Sequence, residues 1–165
     1  LTYGGRHVSV ASLPGMFERT VVINGFSKAF AMTGWRIGFV CTPPELDAAM
    51  LKIHQYTLLC APAAAQYAAI EALKDGFGDN FAVVEAMRDE YDKRRLFMVD
   101  FFNRTGLPCF EPRGAFYVYP SVRELGVTGE EFATGLLRAE KVAAVPGDAF
   151  GEAGKYHIRC SYATS

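Results

Sequence analysis

One lysine and one arginine stand eight residues apart in "NGFSKAFAMTGWRIGFV", Asn24 to Val40, among small and aromatic neighbours. Burying a lone ammonium or guanidinium in such surroundings is expensive unless something pairs with it. Lys28, at the end of an apolar strand and flanked by Ser27 and Ala29, is expected to be partly desolvated. Desolvation lowers an amine's pKa and favours the neutral nucleophile that forms a Schiff base with a carbonyl. Arg36 is a permanently charged fork suited to a phosphate or a carboxylate. Gly25, Gly34 and Gly38 leave room for a ligand or another backbone to approach. Together these residues describe a ligand with an aldehyde at one end and a phosphate at the other. A lysine and an arginine near strand ends are also ordinary surface or ion-pair residues, so both readings stand at this point.

The elements that must hold this pair are legible on either side of it. "RTVVINGF" carries a β-branched run, Thr20 to Ile23, closed by Asn-Gly, and reads as a strand. "WRIGFVCT" reads as a second strand, stopped by Pro43 and Pro44. Both are apolar with little alternation, the pattern of strands buried on both faces. "PELDAAMLKIHQYTLL" opens with proline and acid, as a helix amino end does, and "PAAAQYAAIEALKDG" reads as an alanine-rich helix stopped by Gly76. "DNFAVVEAMRDEYDKRRLFMVDFFNRTG" is the longest periodic segment. Phe81, Val84, Met87, Tyr91 and Met98 recur at helical spacing, and Arg88, Asp89, Asp92, Lys93 and Arg94 form a solvated face. Beyond Gly106, "CFEPRGAFYVYPSV", "VAAVPG" and "YHIRCSYA" are short strand candidates, and "TGEEFATGLLRAEK" is an amphipathic helix capped by Thr128. A β, α, β, β order after a long helix predicts a small α+β unit beside an α/β layer.

The bulk numbers set the class. The chain has 165 residues, 50% hydrophobic and 21% charged, with a formal net charge of −1. That is a globular profile with no general attraction to nucleic acid or to an anionic membrane. No apolar run is long enough for a membrane span, and "LTYGGRHVSV" lacks the apolar region of a signal peptide. Cys41, Cys60, Cys109 and Cys160 form no CxxC pair, and no histidine lies at ligand spacing from them. They are expected to be free, small buried hydrophobes, with no metal site, in a reducing cytoplasmic compartment. His7, His54 and His157 are read as structural or exposed.

The stretch "GFSKAFAMTGWRIG" resembles the lysine-attachment motif of class I/II pyridoxal-phosphate-dependent aminotransferases. "RHVSVASLPGMFERTVVINGFSKAFAMTGWRIGFV" resembles their aspartate-aminotransferase-like branch in particular. "PRGAFYVYP", "VAAVPGDAFG" and "HIRCSYATS" follow in the order of that family's later strands. The resemblance covers essentially the whole chain and corresponds to the second, carboxy-terminal half of a family member. It implies an α/β fold. Residues 1–78 would be the end of the large cofactor-binding domain of a fold-type I enzyme. Residues 79–104 would be an interdomain helix, and 105–165 a small α+β domain lacking its last helix.

By this resemblance Lys28 would form the Schiff base with pyridoxal 5′-phosphate and act as the proton-transfer base. Arg36 would bind the cofactor phosphate, with Ser27 as a further donor to it. Arg159 would grip the substrate α-carboxylate, and Gly114 would let backbone approach the substrate. Phe116 and Tyr117 are read as packing residues, and Tyr3 is not read as the family tyrosine that contacts the cofactor. The implied reaction passes an amino group between an L-amino acid and a 2-oxo acid in a ping-pong cycle, in a cytoplasmic homodimer. The chain alone is expected to be inactive, because the other cofactor contacts of the family lie upstream of Leu1. "SYATS" is expected to cap a further helix. Two other readings stay open: a carbon–sulfur lyase or related synthase on the same scaffold, and a non-catalytic aminotransferase-like sensor domain.

Overall fold

The structure, a computed structural model, describes residues 1–163. The helix expected to begin in "SYATS" runs into Thr164 and Ser165 and lies outside the described residues. The chain divides into two compact units, one of Arg6–Ala86 and one of Leu1–Gly5 with Met87–Ser165. The division falls inside a single helix, and the first five residues group with the later unit.

In the Arg6–Ala86 unit, β1 (Val22–Gly25) pairs antiparallel with β2 (Gly38–Cys41), with Val22 opposite Cys41 and Gly25 opposite Gly38. The strands were expected to be buried on both faces. They are not: Ile23 is 77% exposed and β2 is exposed along its length. A two-stranded ribbon brings no neighbouring strands, and the helices of this unit do not cover both of its faces. Helix α1 (Pro44–Thr57) starts on its proline, with Glu45 and Asp47 in the first turn where the helix dipole favours acids. Helix α2 (Ala63–Asp79) runs through Gly76, the expected stop. Gly76 is buried because the ring of Phe81 occupies the place of its missing side chain. The helix ends instead at Asn80 (φ 57), and Asp79 Oδ1 then accepts the Ala82 amide at 3.2 Å to begin α3 (Ala82–Arg104). Phe26, Met32 and Ala69 form the core of this unit, with Phe30, Ile37, Ala68, Ala72 and Leu73 packed around them.

In the other unit, α3 is followed by β3 (Tyr117–Val118), α4 (Gly129–Glu140), β4 (Val145–Pro146) and β5 (Ile158–Ser161). The strands form an antiparallel sheet in the order β3-β5-β4, with Tyr117 opposite Ser161 and Val145 opposite Arg159. Val118 of β3 and Ile158 of β5 are fully buried, as is Val122. The charged face of α3 is less simple than its pattern. Arg95 is buried, donates to Asp92 and Glu111, each at 2.7 Å, and to the Pro112 carbonyl at 3.0 Å, and lies under the Tyr3 ring. Asp92, expected in solvent, is drawn in as its partner. Tyr3 in turn donates to the Ala115 carbonyl at 2.6 Å, and its amide donates to the Arg113 carbonyl, so residues 1–3 lie against the loop that carries Gly114.

Thr128 caps α4 as its sequence predicts. Its hydroxyl accepts the Glu131 amide at 3.2 Å, and the Glu131 carboxylate accepts the Thr128 amide at 2.8 Å. The Thr128 amide first, and then the Thr128 hydroxyl, which also donates to the Glu131 carboxylate at 2.8 Å, hold the Glu131 carboxyl below its ordinary value of 4.5. A lowered folded pKa gives stability that is complete above the unfolded value and is lost as pH falls through the folded one. Thr128→Ala is expected to lower stability by about 1 kcal/mol at neutral pH. Urea unfolding should show the gap between variant and wild type narrowing as pH falls below the ordinary carboxylate range and the Glu131 carboxylate becomes protonated.

The cysteines are all free. Cys109 is buried and Cys160 half-buried, and burial pushes the Cys160 thiol up to about 11. Cys41 and Cys60 are exposed, against expectation, because one lies on the uncovered strand β2 and the other in the link between α1 and α2. Among the described residues no helix is long and apolar enough to cross a membrane, and no group of acidic, histidine and cysteine side chains could hold a metal ion.

Candidate active site

The loop between β1 and β2 carries Ser27, Lys28 and Arg36. Its base is closed by the Gly25–Gly38 pair and by the Phe26 amide, which donates to the Ile37 carbonyl at 3.3 Å. A side chain on Gly38 would meet the Asn24 carbonyl at 2.8 Å, so the approaching group that requires glycine here is the partner strand. Phe26 and Met32 are buried and anchor the loop from beneath. Within it the Phe30 amide donates to the Phe26 carbonyl and the Ala31 amide to the Lys28 carbonyl. The Thr33 hydroxyl donates to the Ser27 carbonyl at 2.9 Å. A 3₁₀ turn, Thr33–Trp35, then ends at Arg36, whose backbone is left-handed (φ 53, ψ 49).

Arg36 is thus a non-glycine residue in a conformation that stores about 1 kcal/mol or more of strain. Its Nη1 donates to the Thr33 carbonyl at 2.9 Å, and among the described residues it pairs with no carboxylate. Lys28 is exposed rather than buried at a strand end, because it sits in the turn beyond β1 and not within the strand. The desolvation expected of it is therefore not supplied by its own loop. Ser27 is half-buried, and its carbonyl accepts the Thr33 hydroxyl.

Arg159 and Gly114 lie in the other unit. Arg159 is on β5, the middle strand of its sheet, and its guanidinium carbon sits 4.3 Å from the Tyr117 ring centre and 4.4 Å from that of Phe150. Tyr117, read as a packing residue, packs its ring against the guanidinium. The register explains the contact: Tyr117 faces Ser161, and Arg159, two residues back, is its diagonal neighbour on the same face. Phe150 ends the 3₁₀ turn Gly147–Phe150 that follows β4, and it went unread in the sequence. The available signal was an aromatic residue set between glycines in "PGDAFG", immediately after a short strand. At Gly114 a side chain would come within 3.1 Å of the Leu1 carbonyl, a tight fit that favours glycine there. His7 and His54 are exposed. His157 stacks on Tyr119 at 4.9 Å, with its Nδ1 buried and without a hydrogen-bond partner among the described residues.

One loop thus offers a primary amine and a guanidinium, and a separate strand offers a second guanidinium held by aromatic rings. Comparison with known proteins gives this arrangement a lineage. The profile of the family "Aminotransferase class I and II" matches residues 2–165. YugH of Bacillus subtilis (strain 168), named among the aminotransferases, is 57% identical over the whole chain, which spans 42% of that protein. An aspartate aminotransferase of Pyrococcus abyssi is 49% identical over 97% of the chain and 41% of its own length. The crystal structure of an aromatic aminotransferase from Pyrococcus horikoshii OT3 superposes with a TM-score of 0.93 at 48% identity, over 99% of this chain and 44% of that one. The chain therefore spans about two-fifths of the length of the relatives it matches. On the match over residues 2–165 and these identities, the chain belongs to the class I and II aminotransferases.

Proposed function

We propose that the full-length protein is a pyridoxal-phosphate-dependent aminotransferase that exchanges the amino group of an L-amino acid with a 2-oxo acid in two half-reactions. The observation that carries this reading is the β1–β2 loop. It presents an exposed lysine and, eight residues on, an arginine in a strained conformation that no carboxylate of the described residues neutralises. The enzymes of this family work with pyridoxal 5′-phosphate, and the residues of the loop suit that group. When bound, it supplies an electrophilic aldehyde and a ring that accepts the electron pair released at the substrate carbon.

Lys28 would hold the aldehyde end through its amine. Arg36 would hold the phosphate end through its charge, with the Ser27 hydroxyl as a further donor. Once an amino acid has entered, Lys28 Nζ takes the proton from its α-carbon and returns it elsewhere, the work of a general base and acid. Arg159 would fix the α-carboxylate and so orient the carbon that loses the proton. Gly114 would let backbone approach the substrate. The carboxy-terminal position of the chain in its parent, its lack of activity alone, a homodimeric assembly and a cytoplasmic location belong to the same proposal. Two of the relatives are named for aspartate and for aromatic amino acids, and both donor classes are open to this protein. The lyase and sensor readings gain nothing from these relatives, which are aminotransferases by name.

Borohydride reduction tests the reading. The full-length protein, incubated with pyridoxal 5′-phosphate, reduced and digested, is expected to carry a pyridoxyl group on the peptide containing Lys28. A folded protein that takes no label at Lys28 would remove the cofactor assignment and bring the sensor reading forward.

A further inference from the structure

We propose that Tyr117 and Phe150 are positioning residues for Arg159. They hold its guanidinium between two rings, so that only its N–H edge remains open to a planar acid. The inference rests on the reading of Arg159 as the partner of the substrate carboxylate, and it assigns a task to two residues that reading leaves out.

The guanidinium carbon is 4.3 Å from one ring centre and 4.4 Å from the other, within the range at which a ring face attracts a cation. Among the described residues Tyr117 and Phe150 make no ring contact with each other, so they flank the arginine rather than stack as a pair. Phe150 is 53% exposed, so its ring is not placed there to be buried in a core. Each ring is braced from behind. Phe150 meets the Tyr119 ring edge-on at 6.5 Å, and Tyr119 is pinned by stacking on His157 and by its hydroxyl, which donates to the Gly147 carbonyl at 3.0 Å. Tyr117 meets Phe116 at 4.6 Å.

Three other arginines of this unit make a contrast, although Arg123 also lies over a single ring, that of Tyr156 at 4.0 Å. Arg95 pairs with Asp92 and Glu111, Arg94 with Glu90, and Arg104 with Asp100. Among the described residues Arg159 pairs with no carboxylate, and its faces are spent on aromatic rings. An arginine held in this way keeps its edge donors for a bidentate acid and has already lost the side-chain freedom that binding would otherwise remove. Loosening it should weaken carboxylate binding by roughly three- to tenfold.

The test uses the full-length protein loaded with pyridoxal 5′-phosphate and labelled with ¹⁵N-arginine, with propionate as the carboxylate probe. The Arg159 Nε–H signal, assigned through Arg159→Lys, is expected upfield of the other arginines because of the two ring currents, and it should move as propionate is added. In Phe150→Leu and in Tyr117→Leu the signal should return toward the others. The propionate dissociation constant and the KM for the amino acid should both rise by roughly three- to tenfold, with kcat falling less than KM rises. Tyr117→Phe, which keeps the ring, should stay close to wild type in every readout. If both leucine variants bind propionate as wild type does while Arg159→Lys binds it weakly, the positioning role is overturned and the carboxylate reading survives. If Arg159→Lys changes neither propionate binding nor KM, the carboxylate reading fails and takes this inference with it.

Discussion

Replacing Lys28 by alanine in the full-length protein is expected to lower transamination by a factor of about 10⁴ or more, since the change removes both a covalent anchor and a general base. The reason lies in the two tasks given to one amine. Lys28 would hold the aldehyde before substrate arrives and carry the substrate's α-proton afterwards, and alanine can do neither. Lys28→Arg separates charge from chemistry. It keeps a cation in the exposed turn between Phe26 and Met32 but has no nitrogen that is neutral at working pH. Both variants should therefore fail alike, in steady-state rates with an amino acid and a 2-oxo acid and in the loss of the borohydride label. A Lys28→Arg protein that retained most of its rate would show that the lysine matters as a charge only, and the proposed mechanism would not survive it.

Gly147→Ala is expected to destabilise the unit that contains it by about 3 kcal/mol, at the upper end of what overpacking a tight site does. The added methyl would meet the Gly154 carbonyl, the Tyr119 hydroxyl and the His157 carbonyl, the last at 2.8 Å. Two of these three are backbone atoms, which cannot swing aside. The Gly147 amide also donates to the His157 carbonyl at 2.8 Å, so a shift that relieves the clash strains a bond just beyond the paired ends of β4 and β5. Gly135 is the control. It lies in α4 with nothing within 4 Å of where its methyl would be, and alanine there should stabilise by about 1 kcal/mol through helix propensity. Urea unfolding of the two variants should move the midpoint in opposite directions. Equal shifts would mean that the packing around Gly147 is looser than its contacts imply. The same knot positions Phe150, so Gly147→Ala should also loosen the ring that flanks Arg159.

The parts of the fold legible in the sequence are those set by neighbours a few residues apart. The proline and acids of α1, the Thr128–Glu131 box of α4 and the turn glycines of the β1–β2 loop each act through bonds made within their own segment. The lysine and the arginine could be paired from spacing because one short loop carries both. Lengths and stops were less legible. α2 passes through Gly76 because a phenylalanine five residues on fills the space that glycine leaves, and no local rule for helix ends anticipates that. The apolar run of β1 and β2 said that these strands suit burial on both faces, but burial depends on what lies against them. In this chain Ile23, Phe39 and Val40 remain open.

By itself the sequence determined the chemistry available to this protein: an amine and a guanidinium in one loop, a second guanidinium on a late strand, and the family to which their order belongs. Only the tertiary structure decided how those groups are held. Lys28 stands exposed in a turn, Arg95 is buried between two acids and a tyrosine, and Arg159 lies between the rings of Tyr117 and Phe150. The difference has a physical cause. Side-chain chemistry and short-range hydrogen bonds are carried by each residue and its near neighbours. Burial and ring stacking are instead imposed by partners brought in from distant segments, such as Tyr3 against α3 or Phe150 against β5, and the sheet register that aligns them is written in no single stretch of the chain.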